Sequence, residues 1–412
     1  MGRPKGSKNK PKRFDTNTFG VKIMLDKRIE NTPITKTSNQ GWVNFGSKND
    51  YPQQLSSLFY TSPTLRRCCE FYATSVLGEG IDYTQLKLDD TQLQPNYHQT
   101  WEDFIYSIAL DYAIYGSYSF QIIKNKDGKT YSVYHQPIAD VRMGEYDEDG
   151  VITECYISKD WTNRQKYPPI AIKRFGFQDD EEIKSGEPYL FVFQRYCPDT
   201  LYYWQPTWVS AIKAVQTESE LLNYDFKSTL NGFNASGILT LDRVDSEEER
   251  NNIINNITNL FSGTDNANSL IVSFRNNIDD KAPEFTPFAK NMADVDLFAN
   301  TNERAIERII TAFGIPSKQL IGYSKEGSQL GGNSNEMAVA FNLFNQLVGN
   351  KLRKDIVGII NKIFRLNGIE MEITLRPLNF YIEEKVVDEN INVSTTEEDK
   401  EITNNNNIKE QV

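Results

Sequence analysis

The chain has 412 residues, 12% of them aromatic, and its 45 basic and 56 acidic side chains give a net charge of −11. That length and aromatic content allow two or three structural regions and exclude wholesale disorder. The negative charge argues against a body that clamps nucleic acid by its phosphates.

The charge is also uneven. Arg3, Lys5, Lys8, Lys10, Lys12 and Arg13 crowd the first thirteen residues without an acid, so removing those six from −11 leaves −17 for the rest. Cys68, Cys69, Cys155 and Cys197 show no paired CxxC spacing and read as reduced thiols packed as small apolar groups. No apolar run reaches membrane-spanning length and the polar start lacks a signal-peptide core, which makes a cytoplasm the expected place of synthesis.

Residues 1–41 read as a basic, disordered arm rich in Asn, Thr, Lys and Pro, with a compact region beginning near Trp42. Over residues 51–77 apolar side chains recur at helical spacing, Leu55, Leu58 and Phe59 before Ser62-Pro63 and Leu65, Cys69, Tyr72 and Val76 after it. Residues 100–115 predict a helix capped by Thr100, with Phe104, Ile105, Ile108 and Tyr112 on one face. The period then changes to two. Tyr118, Phe120 and Ile122, the turn Lys126-Asp127-Gly128, and Tyr131, Val133 and His135 predict a hairpin. A strand pair around Asp147-Glu148-Asp149-Gly150 and a strand from Tyr189 to Tyr196 follow. Residues 42–205 therefore read as a mixed α+β unit with a mainly antiparallel sheet.

Pro206 stands where it could open a long helix, with Trp208, Ile212, Val215, Leu222 and Phe226 in one stripe, interrupted at Ser219 and stopped by Asn231-Gly232. Residues 233–290 read as a small α/β insertion. It comprises a strand from Ile238 to Leu241, a helix led by Asp245 or Ser246, a strand from Leu270 to Phe274 and a loose proline-containing stretch. Glu247, Glu248 and Glu249 suit the first turn of that helix, where the dipole favours acids. A second long helix is expected from Asp294 to Phe313, carrying Leu297, Phe298, Ile306, Ile309 and Ile310 and ended by Gly314-Ile315-Pro316. Residues 322–335 have the Gly and Ser content of a mobile loop. A third helix over 336–366 aligns Phe341, Phe344, Val348, Leu352, Ile359 and Ile363, with Gly349 and Gly358 marking a bend. A strand from Glu370 to Leu375 closes the fold, and residues 383–412 read as an acidic, Asn-rich disordered tail.

Candidate chemistry is scarce. The only histidines, His98 and His135, fall in different elements, and His135 sits among aromatics as a packed side chain. There is no GxxxxGK[ST] loop, and Asp179, Asp180, Glu181 and Glu182 form a solvated run rather than a placed pair. No catalytic residue, metal ligand or cofactor is assigned, and an enzyme is not expected.

Three segments, in order, resemble the portal proteins of tailed bacteriophages, of the type shared with lambdoid-like capsids. The first is Tyr115-Gly116-Ser117-Tyr118 leading into the hairpin and then Pro137 to Val141. The second is Gln205-Pro206-Thr207-Trp208-Val209-Ser210-Ala211, followed a helix later by Asn231-Gly232-Phe233-Asn234-Ala235-Ser236-Gly237-Ile238-Leu239. The third is Ile309 to Phe313 running into Gly314-Ile315-Pro316-Ser317-Lys318-Gln319-Leu320-Ile321-Gly322.

The resemblance implies an α+β portal-type subunit. Residues 42–205 would form a wing, 206–232 and 291–316 two stem helices, and 233–290 a clip. Residues 317–335 would hold a tunnel loop and 336–382 a kinked helix returning to the wing, with a crown minimal or absent. It also implies a ring of about twelve copies at one capsid vertex, closed by head-to-tail contacts. Its partners would be double-stranded DNA in the channel, the large subunit of the terminase motor, a head–tail adaptor, and the major capsid and scaffold proteins, with no membrane. Such a ring would be assembled in the host cytoplasm and end in the virion.

On that map Lys325, Glu326, Gly327, Ser328, Gln329, Gly331, Gly332 and Asn333 would touch moving DNA, and Ile306, Ile309, Ile310 and Lys213 would meet neighbouring copies. The residues alone favour an ordinary surface loop for the first set, and for Ile306 and Ile310 they allow intramolecular core equally. Gly2-Arg3-Pro4-Lys5-Gly6 resembles the core of an AT-hook, though generic attraction to phosphate or an acidic partner fits as well. The alternative function is a DNA-associated dimeric regulatory or architectural protein using that arm.

Overall fold

Proline and glycine set the first boundaries of the fold. The computed structural model describes residues 35–37, 40–83, 94–176, 183–198, 200–230, 237–242, 244, 246–261, 270–274, 284–287, 292–323 and 334–378. Most of the expected arm and all of the expected tail lie outside the described residues. The end of the arm, however, is a strand: β1 (Thr35–Thr37) pairs antiparallel with β2 (Val43–Phe45). Ordered structure therefore begins before Trp42.

The helix α1 (Tyr51–Thr61) stops at Ser62, which Pro63 holds extended. Ser62 then caps α2 (Pro63–Leu77), its Oγ accepting the Leu65 N–H at 3.0 Å, with Pro63 in the first turn where no N–H is needed. After the short β3 (Gly80–Ile81), α3 (Trp101–Tyr115) starts with a reciprocal capping box between Thr100 and Asp103. It ends at Gly116 (φ 82°), where a side chain would also meet the Gln205 carbonyl oxygen at 2.2 Å.

The hairpin of β4 (Tyr118–Lys124) and β5 (Tyr131–Gln136) turns around Asp127. The Asp127 carboxylate accepts the Thr130 hydroxyl and the Thr130 and Lys129 amides, which hold its pKa down at about 2. A second antiparallel sheet joins β6 (Val141–Met143), β7 (Glu154–Ile157) and β8 (Ile170–Lys173). The sequence gives no sign of β8 because Ile170 and Ala171 are exposed, which spoils the alternation. Finally β9 (Pro188–Phe193) pairs with β4 to give the order β5-β4-β9, stacking Phe191 on Phe120 and Phe193 on Tyr118.

The chain then crosses α3. Trp208 is fully buried and its Nε1 donates to the Ala113 carbonyl at 3.0 Å. A 3-10 turn (Val209–Ala211) leads into α4 (Ile212–Leu230). Pro206 thus precedes the helix instead of occupying its first turn, because residues 205–208 are pinned against Gly116 and α3.

Beyond α4 lies an α/β unit. Its strand β10 (Gly237–Leu241) is followed by α5 (Glu247–Phe261), β11 (Leu270–Phe274) and β12 (Glu284–Pro287). β10 and β11 are parallel with α5 as the crossover, and β12 pairs antiparallel on the other side of β10. Ser246 leads α5, its Oγ accepting the Glu249 N–H at 3.3 Å, while Asp245 lies outside the described residues. The stretch expected to be loose contains β12, with Pro287 at its last position on an edge strand.

The chain returns through α6 (Met292–Ala312) and turns at Gly314 (φ 67°). The expected third helix is two, α7 (Ser334–Phe344) and α8 (Asn350–Leu366), joined by a π-helical turn at Asn345–Gly349. The extra residue in that turn rotates the buried face, so that Phe341 and Phe344 are followed by Leu352, Ile356, Ile360 and Ile363, with Ile359 half-buried. A Cβ at Gly349 would come within 2.9 Å of Asn345 Oδ1, which accounts for glycine there, whereas Gly358 is exposed in regular helix. The closing strand β13 (Leu375–Arg376) is shorter than expected and pairs with β3.

Two arginines are built into this interior. Arg142 is fully buried and donates to Asn49 Oδ1 (2.6 Å) and to the Asn49, Ala139 and Val141 carbonyls, tying the start of α1 to β6. Its guanidinium also lies 4.8 Å from the Trp161 ring, and burial lowers its pKa to about 10. Arg353 on α8 donates to the Val76 and Ser75 carbonyls, satisfying the last turn of α2.

Beside Arg142, burial raises the Asp140 carboxyl from its ordinary 3.8 to about 6, with Arg142 opposing the shift and Asp111 adding to it. A carboxyl raised in the folded state favours folding fully below pH 4, and that contribution is lost as pH rises through 6. Asp140→Asn is therefore expected to raise the thermal midpoint by about 2 °C or more at pH 8. The gain should shrink through pH 6 and vanish below pH 4, as measured by calorimetry across that range.

Candidate functional site

The sequence marks three groups of candidate residues, and the structure bears on one. The basic arm (Arg3, Lys5, Lys8, Lys10, Lys12, Arg13) and the loop residues Lys325, Glu326, Gly327, Ser328, Gln329, Gly331, Gly332 and Asn333 lie outside the described residues. Ile306, Ile309, Ile310 and Lys213 belong to the helix pair α4–α6.

That pair is built for projection. At 1.5 Å per residue its 19-residue and 21-residue helices are about 28 Å and 31 Å long. They run antiparallel: Tyr224 near the end of α4 stacks on Phe298 near the start of α6 at 5.2 Å. The inner halves belong to the core, with Ile212 and Val215 of α4 and Ala305, Ile306, Ile309 and Ile310 of α6 buried. The outer halves do not, since Leu222, Tyr224, Phe226 and Phe298 are all exposed. The α/β unit of β10, α5, β11 and β12 is inserted between these outer ends.

The three isoleucines expected to meet neighbouring copies are therefore already covered inside one chain. Their stripe faces α4, α2 and the 3-10 turn at 209–211, because the inner half of α6 is wedged into the body. Lys213, on the opposite side of that packing, is exposed.

The anchor at the base is Glu218, a residue that the periodicity did not single out. It sits in the slot of the apolar stripe between Val215 and Leu222 and is 4% exposed. Its carboxylate accepts from the Ser62 hydroxyl and from Thr64 Oγ1 at 2.5 Å. Ser62 at the same time caps α2, so the carboxylate lies at the positive end of the α2 dipole. Ser219 Oγ adds a bond to Thr61 Oγ1 at 3.1 Å. A carboxylate in an apolar slot was the available signal.

The inner, C-terminal end of α6 is fixed at the same root. Lys318 Nζ contacts Glu307 at 2.6 Å and Glu303 at 3.6 Å, and the hydrogen bond it donates to Glu307 raises its pKa. Ser317 caps the 3-10 turn Lys318–Ile321, whose Ile321 carbonyl accepts from Arg67 Nε at 3.1 Å. The segment after Gly322 thus leaves from a braced point on α6 and α2.

Described parts of the three segments that carry the sequence resemblance meet here. Gly116 abuts Gln205 and Pro206, Trp208 bonds to α3, and the 3-10 turn 209–211 packs on α6. Together they form the root of the helix pair. Among the described residues no cluster of three His, Cys, Asp or Glu side chains could hold a metal ion, and no helix is long and apolar enough to cross a membrane. His135 Nε2 lies 2.9 Å from Asp111 Oδ2, which also accepts the Ile138 N–H, so this pair ties β5 to α3.

Glu218→Leu is expected to lower the unfolding free energy by about 2 kcal/mol, the scale for hydrogen bonds to a buried charge. Denaturant titration of Glu218→Leu, Thr64→Ala and the double variant should reveal strong non-additivity, since both changes break the same contact.

No protein-family model and no curated protein matches the chain. Among solved structures it is similar to a chain in the virion of the native gene transfer agent (GTA) particle, at 15% identity and a TM-score of 0.50, covering 78% of this chain and 83% of that one. It is also similar to a chain in the neck of the native GTA particle computed with C12 symmetry, at 15% identity and a TM-score of 0.51, covering 79% and 84%. The crystal structure of an HK97 family phage portal protein from Corynebacterium diphtheriae aligns at 12% identity and a TM-score of 0.38, covering 71% and 90%. The likeness to the GTA chains is one of fold: this mixed α/β chain shares its architecture with chains of an assembled particle.

Proposed function

We propose that the chain is the portal subunit of a tailed-phage-type particle. Its copies close into a ring at one capsid vertex, through which double-stranded DNA is packaged by the terminase motor and later ejected, and to which the tail adaptor attaches. The observation that carries this reading is the antiparallel helix pair, rooted in the core at one end and bearing a separate α/β unit at the other. It occurs in a chain whose fold matches that of a GTA neck chain over 79% of its length.

On this reading residues 42–205 are the wing, α4 and α6 the stem, and 233–290 the clip that meets motor and adaptor. Residues 317–335 hold the loop toward the DNA, and 336–382 return to the wing. Helices about 30 Å long give a channel wall of that height, and head-to-tail contacts around one axis close a ring without loose ends. An acidic body suits a duplex that must slide past without being held. The chain itself performs no bond chemistry. Hydrolysis of ATP belongs to the separate motor.

The test is direct. Light scattering and electron micrographs of the purified chain are expected to give closed rings with a central hole, of mass about twelve times 47.3 kDa. Only monomer or dimer at micromolar protein, across a range of salt, would overturn the reading. Removal of residues 2–13 is expected to leave those rings intact while flattening the salt dependence of DNA binding, since six cations go with it. Loss of the rings on that deletion would make the arm structural instead.

A further inference from the structure

We infer that the outward stripe of α7 and the exposed end of the α4–α6 pair are the two halves of one contact, the stripe of each copy being covered by the helix pair of the next. This rests on the ring reading above and names where its copies meet, in place of the isoleucines that one chain already covers.

The stripe is the first observation. Val339, Leu343 and Leu347 recur at every fourth residue and are 63%, 44% and 70% exposed. The other side of the same helix, with Ala338, Phe341 and Phe344, is buried against α2. A helix apolar on both sides belongs to a state in which both are covered.

The second observation is a separate apolar surface. Leu222, Phe226 and Phe298 are 42%, 64% and 42% exposed on the outer turns of the helix pair. Both surfaces are open in the single chain, so neither covers the other there. They hang from different parts of α2: Ser62 before its first turn holds Glu218, while Phe71 in its C-terminal half packs on Phe341 and Phe344. A closed head-to-tail ring needs two different patches per copy, one toward each neighbour, and a self-complementary patch would stop at a dimer.

Charge commits the stripe to the helix pair. Beyond Leu347 the exposed side chains of α8 are all basic, Lys351, Lys354, Lys362 and Arg365, whereas the outer turns of α4 expose Glu220 and Asp225. Apolar residues would meet apolar residues with opposite charges at the border, which favours this pairing over stripe against stripe.

The experiment uses three full-length proteins: the unmodified chain, Leu343→Asp with Leu347→Asp, and Phe226→Asp. All the changed positions are exposed, so both variants are expected to keep the far-UV circular dichroism and thermal midpoint of the unmodified monomer fold. Each variant alone is expected to be monomeric by native mass spectrometry. Mixed in equal amounts, they should form a one-to-one pair and nothing larger, because one carries an intact helix pair and the other an intact stripe. Lys351→Glu with Lys354→Glu should weaken assembly of an otherwise unmodified chain. Rings formed by either variant, or a mixture that yields no pair, would overturn this contact while leaving the portal reading in place. Failure of the unmodified chain to assemble would instead remove the portal reading itself.

Discussion

A helix pair that leaves its own core can be fixed at one end only, and in this chain the fixing falls to a buried carboxylate. Glu218 lies where the apolar stripe of α4 would place another hydrophobe, and it answers two hydroxyls at the α1–α2 junction. An unpaired carboxylate there would be strongly unfavourable. Paired with Ser62 and Thr64 at the positive end of α2, it is directional as well as stable. Apolar packing alone would let α4 slide or rotate, whereas hydrogen bonds to a charge define one register. The same serine that begins α2 thereby sets where α4 leaves the body.

The rest of the interior follows the same logic with the sign reversed. Arg142 and Arg353 are buried without a carboxylate in direct contact, and their guanidinium groups are satisfied mainly by backbone carbonyls, among them those of the last turn of α2. Five rigid donors suit several carbonyls at once, which a lysine could not match. Each arginine joins segments far apart in sequence: Arg142 links α1 to β6, and Arg353 links α8 to α2. The body can then be stiff although, among the described residues, its sheets have two or three strands each.

Stiffness at the base and exposure at the tip are complementary properties. The inner halves of α4 and α6 are core; the outer halves expose aromatic and aliphatic side chains on neighbouring turns. α7 shows the same division around its circumference, one side against Phe71 and the other open. Apolar surface left on regular, braced elements is suited to lasting contact with a further chain, whereas apolar residues scattered singly need no partner.

Much of this was legible in the residues. The capping box at Thr100, the break at Ser62-Pro63, the hairpin around Asp127 and the α/β character of residues 233–290 follow from local rules, because caps, turns and periodicity depend on neighbours in sequence. β8 was not legible, since an edge strand with exposed Ile170 has no alternation to read, and β12 was hidden in a stretch whose proline suggested a loop. The sequence also established which face of α6 is apolar, but not what covers that face. Only the tertiary structure decided that Ile306, Ile309 and Ile310 are core while Leu222 and Phe226, equally apolar and equally spaced, are open. The physical reason is that periodicity reports which side of a helix avoids water, whereas the covering partner depends on where the chain carries the helix, and here that was settled by Gly116, Trp208 and Glu218 at its root.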